Sequence, residues 1–473
     1  MTEQLPLQTQ ALLGKGWSLW EQQRYEESAV AFELAAAQSP DAEERVTALV
    51  KAGDARLAAG QTRQADENYQ AALELDPDGP LAAHATYQSG TALLKSGSFE
   101  EARLQFSLTE SGFPDSEFAP PAALRQAELL EQENRMEDAL QEYTRIAGQY
   151  TNAATRVTAL HQQGLLLFKF NRYAEALTVF DALVAAYPDA EQTAQASYMR
   201  GFCRYLQGNP AEALSIFEDY VNQFPDSPWT PSVLFLNGEH AYNRGDYEQA
   251  ESTFLNLVER FPQHELADNA LFWTGSARLR QDRFLDAFSI YSRLAKEYPE
   301  SEMLQQTRFA QGEALTELGE FPRAILAYEE IIKLMPDSLL ADRARGRLGD
   351  CLFTLGSTDP ERYQEALDAY QALYKRPGTP FDLKLQALCK MARCEEKIGR
   401  GDQAFTRYME AVYSISELDG PLSPDAALWF TRAAFEAAAM QELQQSWKKA
   451  VHIYERVAEA KVPAANEAEK RME

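Results

Sequence analysis

The chain has 473 residues, 45 of them Lys or Arg and 72 Asp or Glu, for a formal net charge of −27. A surplus this acidic excludes a protein that binds nucleic acid by neutralising phosphates, and it disfavours an anionic membrane surface. With 45% hydrophobic and 11% aromatic residues the chain can bury a large apolar surface, which excludes a disordered polypeptide.

From the N-terminus, Met1 to Gln8 shows no basic stretch leading into an apolar one, and no run of about 18 apolar residues follows anywhere. As written, the sequence predicts a cytoplasmic protein with no direct membrane insertion; a signal or anchor encoded upstream would make it periplasmic instead. Next comes a repeat. Prolines stand at Pro40, Pro77, Pro114, Pro188, Pro225, Pro262, Pro299 and Pro336, 37 residues apart apart from one skipped slot, which Thr151 fills. Small residues keep the same beat at Gly16, Gly53, Gly90, Ala127, Gly164, Gly201, Gly238, Gly275, Gly312 and Gly349. A third series is aromatic: Phe32, Tyr69, Phe106, Tyr143, Phe180, Phe217, Phe254, Tyr291 and Tyr328, each preceded four residues earlier by Ala or, once, by Ser28.

Within a repeat the apolar residues recur at helical spacing, as in Tyr173, Ala176, Leu177, Phe180, Leu183, Val184 and Tyr187. The segment Ala196 to Leu206 has the same period. The spacing predicts two helices per repeat, A and B, joined at Gly60, Gly97, Asn134, Asn171, Gly208, Gly245, Gly319 and Gly356, residue types that tolerate a left-handed helix end. The proline stops helix B, and the Asp after it (Asp41, Asp78, Asp115, Asp189, Asp226) is placed to cap the next helix A. The small residues are expected to let A and B approach closely, with the aromatic filling the space between neighbouring repeats.

After residue 349 the beat loosens. Gly356 to Arg362 lengthens the turn of the tenth repeat, whose helix B keeps Ala366 and Tyr370; Ala404 with Tyr408, and Ala450 with Tyr454, mark an eleventh and a twelfth after linkers at Arg376 to Asp382 and Asp419 to Asp425. The expected organisation is regular repeats over 1–349, less regular ones over 350–462, and a polar tail over 463–473.

Small Gly, then Ala twelve residues on, an aromatic four later and Pro eight after that resembles the tetratricopeptide repeat (TPR). The helix A Trp and Leu of that family are mostly absent, and the period is 37 where the family has about 34, with a linker that is similar to those of bacterial cell-envelope TPR proteins. The resemblance implies an all-α fold, a right-handed superhelix of about twelve helix-turn-helix repeats, that is non-enzymatic and holds a polypeptide along a concave face lined by the A helices. A periplasmic accessory of a Tol-Pal-like or envelope-assembly machine, and a regulatory adaptor of a separately encoded enzyme, are its alternatives.

In family terms the groove-facing slots lie three before, and one and four after, the small residue of helix A. In the middle repeats these slots hold Leu165, Phe168, Tyr198, Phe202, Tyr205, Phe235, Tyr242 and Phe272, with Trp273 adjacent. The rings either anchor apolar side chains of a partner or pack between successive A helices. Phe168, Tyr198, Phe202, Tyr205, Phe235, Tyr242, Phe272 and Trp273 are the candidate partner-binding residues, and the acidic surroundings favour a partner with an apolar or basic contact surface. The slot one past the small residue reads Trp17, Asp54, Thr91, Glu128, Leu165, Phe202, Glu239, Ser276, Glu313 and Asp350; the family's receptors for chaperone tails carry Asn there, so that activity is not expected.

Signs of catalysis are absent. His84, His161, His240, His264 and His452 fall in different repeats without metal-ligand spacing, and no phosphate loop or nucleophile elbow occurs, so no cofactor or metal is expected. Cys203, Cys351 and Cys394 occupy one slot where other repeats have Ala, and with Cys389 they read as core thiols. Oligomeric state is not encoded in any of these patterns.

Overall fold

The computed structural model describes residues 4–417 and 420–473, so Asp419 of the expected second linker lies outside it. Among the described residues every regular element is helical: twelve consecutive A/B pairs from Gln4–Glu21 and Tyr25–Gln38 to Pro424–Leu443 and Trp447–Glu459, one 3₁₀ turn at Ile415–Glu417, and a last helix Ala465–Met472. The fold is an all-α helix-turn-helix array. No helix among these residues is long and apolar enough to cross a membrane. The chain divides into two compact halves, one up to Thr230 and one from Pro231 on. The expected polar tail contains the last helix, which buries Ala468.

The A/B turn follows from one left-handed residue. In repeat 2, Gly60 has φ +77°; its N–H donates to the Leu57 carbonyl at 3.1 Å and the Gln61 N–H to the Arg56 carbonyl at 2.8 Å, so the last carbonyls of helix A are satisfied. Gln23, Asp282 and Gln445 also take a positive φ here, although none is a glycine. Gly356, expected to do so, is right-handed at φ −57°, because the longer turn of repeat 10 carries the chain on before it reverses.

The expected aspartate caps form only at repeat 2, where the Asp41 side chain accepts from the Glu43 and Glu44 N–H groups. From repeat 3 to repeat 9 most of the A helices start about one turn later, after Leu81, Phe118 or Glu191, with no side-chain cap. The three extra residues of the period form that additional turn, closed in repeat 4 by the Ser116 N–H on the Phe113 carbonyl and the Ser116 hydroxyl accepting from the Phe118 N–H at 3.1 Å. The aspartate thus stands a turn too early to cap.

The core of each repeat is the aromatic of helix B seated on the small residue of its own helix A. A Cβ added at Gly16 would lie 2.6 Å from Cε1 of Phe32, and one at Gly53 2.5 Å from Cε1 of Tyr69. Close approach of a ring, more than of two backbones, therefore favours glycine at these positions. The rings themselves are at most 2% exposed and the Ala series at most 3%. Ser28, in the Ala slot of repeat 1, donates its buried hydroxyl to the Gly16 carbonyl at 2.8 Å.

Candidate binding face

Helix B buries its ring and helix A presents the opposite face, so the groove-facing slots are set by the same glycine that seats the ring. All eight candidate residues are accessible to some degree, and Tyr205 is half exposed.

In the N-terminal half, Tyr198 and Phe202 lie one turn apart on Gln192–Leu206, their centroids 4.8 Å apart. Both rest on the buried Phe217, at 6.4 and 5.5 Å, and Tyr198 stacks on Trp229 at 6.1 Å with the planes 25° apart. Phe168 packs instead against Tyr173 across its own turn, at 5.4 Å. Tyr198 and Phe202 thus belong partly to the core and partly to the surface.

In the C-terminal half, Phe235 packs on Phe254 at 5.5 Å. Tyr242 meets Trp273 edge-on at 5.0 Å; Trp273 meets Phe272 at 6.0 Å, and Phe272 rests on the buried Tyr291 at 5.8 Å. The Arg280 Nε donates to the Tyr242 hydroxyl at 3.4 Å. Tyr242 and Phe272 border a cavity of about 720 Å³ whose far wall carries Phe309, Glu313, Arg343 and Arg347.

A second cavity, about 360 Å³, is lined by Arg343, Arg347, Asp350, Gln386 and Lys390. These residues lie two or six before the small residue of helix A, or one after it. Slots at −2 and −6 had not been counted as groove-facing; the signal was in the sequence, since helical neighbours three and four apart share a face.

The slot one past the small residue carries the electrostatics. Asp54 accepts from the Tyr69 hydroxyl, His84 Nε2 and Lys51 Nζ, each at 2.9 Å, and His84 and Lys51 hold its carboxyl below its ordinary value despite burial. Glu128 pairs with Arg125 at 2.6 Å, Glu313 with Arg347 at 3.0 Å, and Asp350 with Lys390 at 2.6 Å as well as with the Tyr370 hydroxyl at 2.5 Å. Glu239 has no ion pair or hydrogen bond among the described residues, and burial raises its carboxyl above its ordinary value.

The choice of Tyr or Phe in helix B tracks these slots. The hydroxyl of a buried tyrosine reaches the helix A face, where a polar side chain one or four past the small residue meets it: Tyr143 on Glu131 at 2.6 Å, Tyr291 at Ser276 at 3.1 Å, Tyr328 at Thr316 at 3.2 Å, Tyr454 on Glu442 at 2.9 Å. Phe32, Phe180 and Phe217 bring no hydroxyl, and their slots hold Trp17 and Trp20, Leu165 and Phe168, Phe202 and Tyr205. Phe106 and Phe254 leave Thr91 and Glu239 in the same slot without a phenolic donor beneath them.

Titratable groups elsewhere are tied into structure. Glu251 joins Arg278 and Arg283 at 2.8 and 2.7 Å, and Asp342 binds Arg345 at 3.1 Å and also Arg376. Burial raises the thiols of Cys203 and Cys389 to about 11 and Cys394 to about 12. No His/Cys/Asp/Glu group with metal-binding geometry is found among the described residues.

A sequence model of the tetratricopeptide repeat family matches residues 2–43, 50–117, 161–228, 235–302 and 309–382, well over half of the chain. The chain is a tetratricopeptide repeat protein. Among solved structures, this TPR chain is similar to yeast Tom70, with 16% identity over 92% of this chain and 96% of that one and a TM-score of 0.34. It is also similar to a TPR protein from Parabacteroides merdae (16% identity, 63% and 96% coverage, TM-score 0.32) and to YrrB, described as a TPR protein with an unusual peptide-binding site (22%, 42% and 94%, TM-score 0.32). No curated protein matches the chain.

Proposed function

We propose that this TPR protein is a non-enzymatic scaffold that holds a polypeptide partner along the helix A face. The observation that carries the reading is the contrast between the two aromatic sets. Rings of helix B are fully buried and build the fold, whereas Tyr205, Tyr242, Phe272 and Trp273 on helix A remain partly in water, at an energetic cost that a partner's apolar side chains would relieve. Side chains of Phe168, Tyr198, Phe202 and Phe235 widen this apolar surface while packing on the core beneath. Groove chemistry then changes along the chain: aromatic in the middle repeats, cation-bearing further on at Arg343, Arg347 and Lys390.

Selection of peptides from a random display library against the full chain, followed by fluorescence anisotropy on synthetic copies, tests this. Tyr242→Ala and Tyr205→Ala each weaken binding about five- to thirtyfold, since surface anchors carry of order 1–2 kcal/mol, with melting curves close to wild type. A library that yields no binder, or binders indifferent to both substitutions, would refute the reading.

A further inference from the structure

Five repeats carry a carboxylate in the slot one past the small residue: Asp54, Glu128, Glu239, Glu313 and Asp350. In four of them a cation pairs with it. The cation comes from the slot at −2 on the same helix (Lys51, Arg125) or from −2 on the next helix A (Arg347, Lys390), and Asp54 also meets the His84 ring from −6 on the next. For Glu239 those three positions hold Leu236, Trp273 and Asn269, and none can supply a positive charge. A tyrosine in helix B could have donated a hydroxyl, as Tyr69 and Tyr370 do, but the ring under Gly238 is Phe254. Glu239 is therefore the one carboxylate of the set that lacks both a cation and a donor, and it is half-buried, in the free protein.

The surroundings of this vacancy favour a cation. Tyr242 stands one turn beyond Glu239 on the same face, and Trp273, which touches Tyr242, occupies the slot from which Arg347 and Lys390 reach their carboxylates in repeats 9 to 11. Among the described residues no Lys or Arg stacks on Trp273, whose ring meets Tyr242 and Phe272. A carboxylate one helical turn from a phenol that meets an indole combines the two elements that attract an ammonium or guanidinium group, ion pairing and the ring quadrupole, and Arg280 of the chain already reaches the Tyr242 hydroxyl at 3.4 Å.

We infer that Glu239, Tyr242 and Trp273 form a subsite for a lysine or arginine side chain of the polypeptide partner, with Phe235 and Phe272 receiving its apolar neighbours. The inference rests on the scaffold reading above and specifies the chemistry of its ligand: a basic residue flanked by apolar ones. The overall charge of −27 steers such a segment toward the chain, while the subsite sets its register.

Three measurements on the full chain decide it. Random-display selection on wild type enriches Lys or Arg next to apolar residues, and the Glu239→Gln protein, given the same library, loses that preference while still yielding apolar binders. For one selected peptide, replacing its basic residue by Gln weakens binding to wild type about tenfold or more and leaves binding to Glu239→Gln nearly unaltered; equal losses on both proteins would overturn the subsite. Glu239→Gln melts at or above the wild-type temperature, because an unneutralised half-buried carboxylate is removed; a lower melting temperature would show that Glu239 already has an internal partner. Apolar binders with no basic preference on either protein defeat the subsite and leave the scaffold intact, whereas a library without binders defeats both.

Discussion

Replacing Gly164 by Ala, in wild type and in a Phe180→Ala background, isolates the contact that explains two of the three sequence series at once. A Cβ at Gly164 would lie 2.5 Å from Cε1, 2.7 Å from Cζ and 2.9 Å from Cδ1 of Phe180, a ring with no exposed surface. All three atoms belong to one rigid ring, so the overpacking cost falls toward the upper part of the usual range, about 2–3 kcal/mol. Helix propensity favours Ala over Gly by about 1 kcal/mol, which leaves a net loss of about 1–2 kcal/mol. Truncating the ring alone costs about 3–5 kcal/mol. In the truncated background the added methyl meets no ring, and Gly164→Ala becomes stabilising by about 1 kcal/mol. The sign reverses, with a coupling of about 2–3 kcal/mol between the two positions. Repeat arrays need not unfold in one step, so native-state hydrogen exchange at the amides of Ala153–Lys169 and Tyr173–Ala186 is the appropriate readout, with urea transitions as a global check. Additivity within about 0.5 kcal/mol would mean that the ring is not what excludes a side chain from position 164.

Further expectations concern the polar and titratable groups. Tyr143→Phe costs about 0.5–1.5 kcal/mol, whereas Glu131→Leu costs about 1–3 kcal/mol by stranding the buried hydroxyl, and the double substitution recovers most of that loss in thermal melts. The His161 imidazole, bonded to Gln195 at 2.9 Å, is lowered by burial from its ordinary value of 6.5. The native state therefore resists its protonation, so stability is unaffected above pH 6.5 and falls as pH drops below it; a His161→Gln protein shows no such loss in that window, and parallel profiles would contradict the assignment. The four cysteines are buried with raised thiol pKa values, so a chromogenic disulfide reagent at pH 7.5 reacts with none until urea unfolds the chain; a fast native phase would show an exposed thiolate.

The helix pairs were legible in the sequence because their signals are local and repeated: Gly, Ala, aromatic and Pro each recur in register, and periodicity fixes which face is buried. Ala127 keeps the slot small without being glycine, and Tyr143 of the same repeat is as fully buried as the other rings. What was misread depended on the linker. Asp78 and Asp115 look like caps from sequence, yet the extra turn moves the helix start beyond their reach, and nothing in residue type announces where that turn closes. The candidate face was read in part. Tyr242 and Trp273 meet edge-on, a contact the slots did not specify, and Arg343, Arg347 and Lys390 line neighbouring cavities from positions outside the three slots per helix that had been counted. The partition of rings between core and surface was not legible either: Phe202 and Tyr205 lie in neighbouring slots of one helix, and only the first rests on Phe217.

A phenolic oxygen that threads from the second helix of a pair to the outer face of the first makes each module a two-state switch in composition. With tyrosine inside, an acid or a hydroxyl at the outer position can answer it, as at Tyr143, Tyr291, Tyr328 and Tyr454; with phenylalanine inside, that position is free to carry a hydrophobic group. A pair of point changes can then convert one rung of the binding surface from polar to greasy while the framework that holds it is untouched, so a scaffold of this kind can acquire new ligands rung by rung.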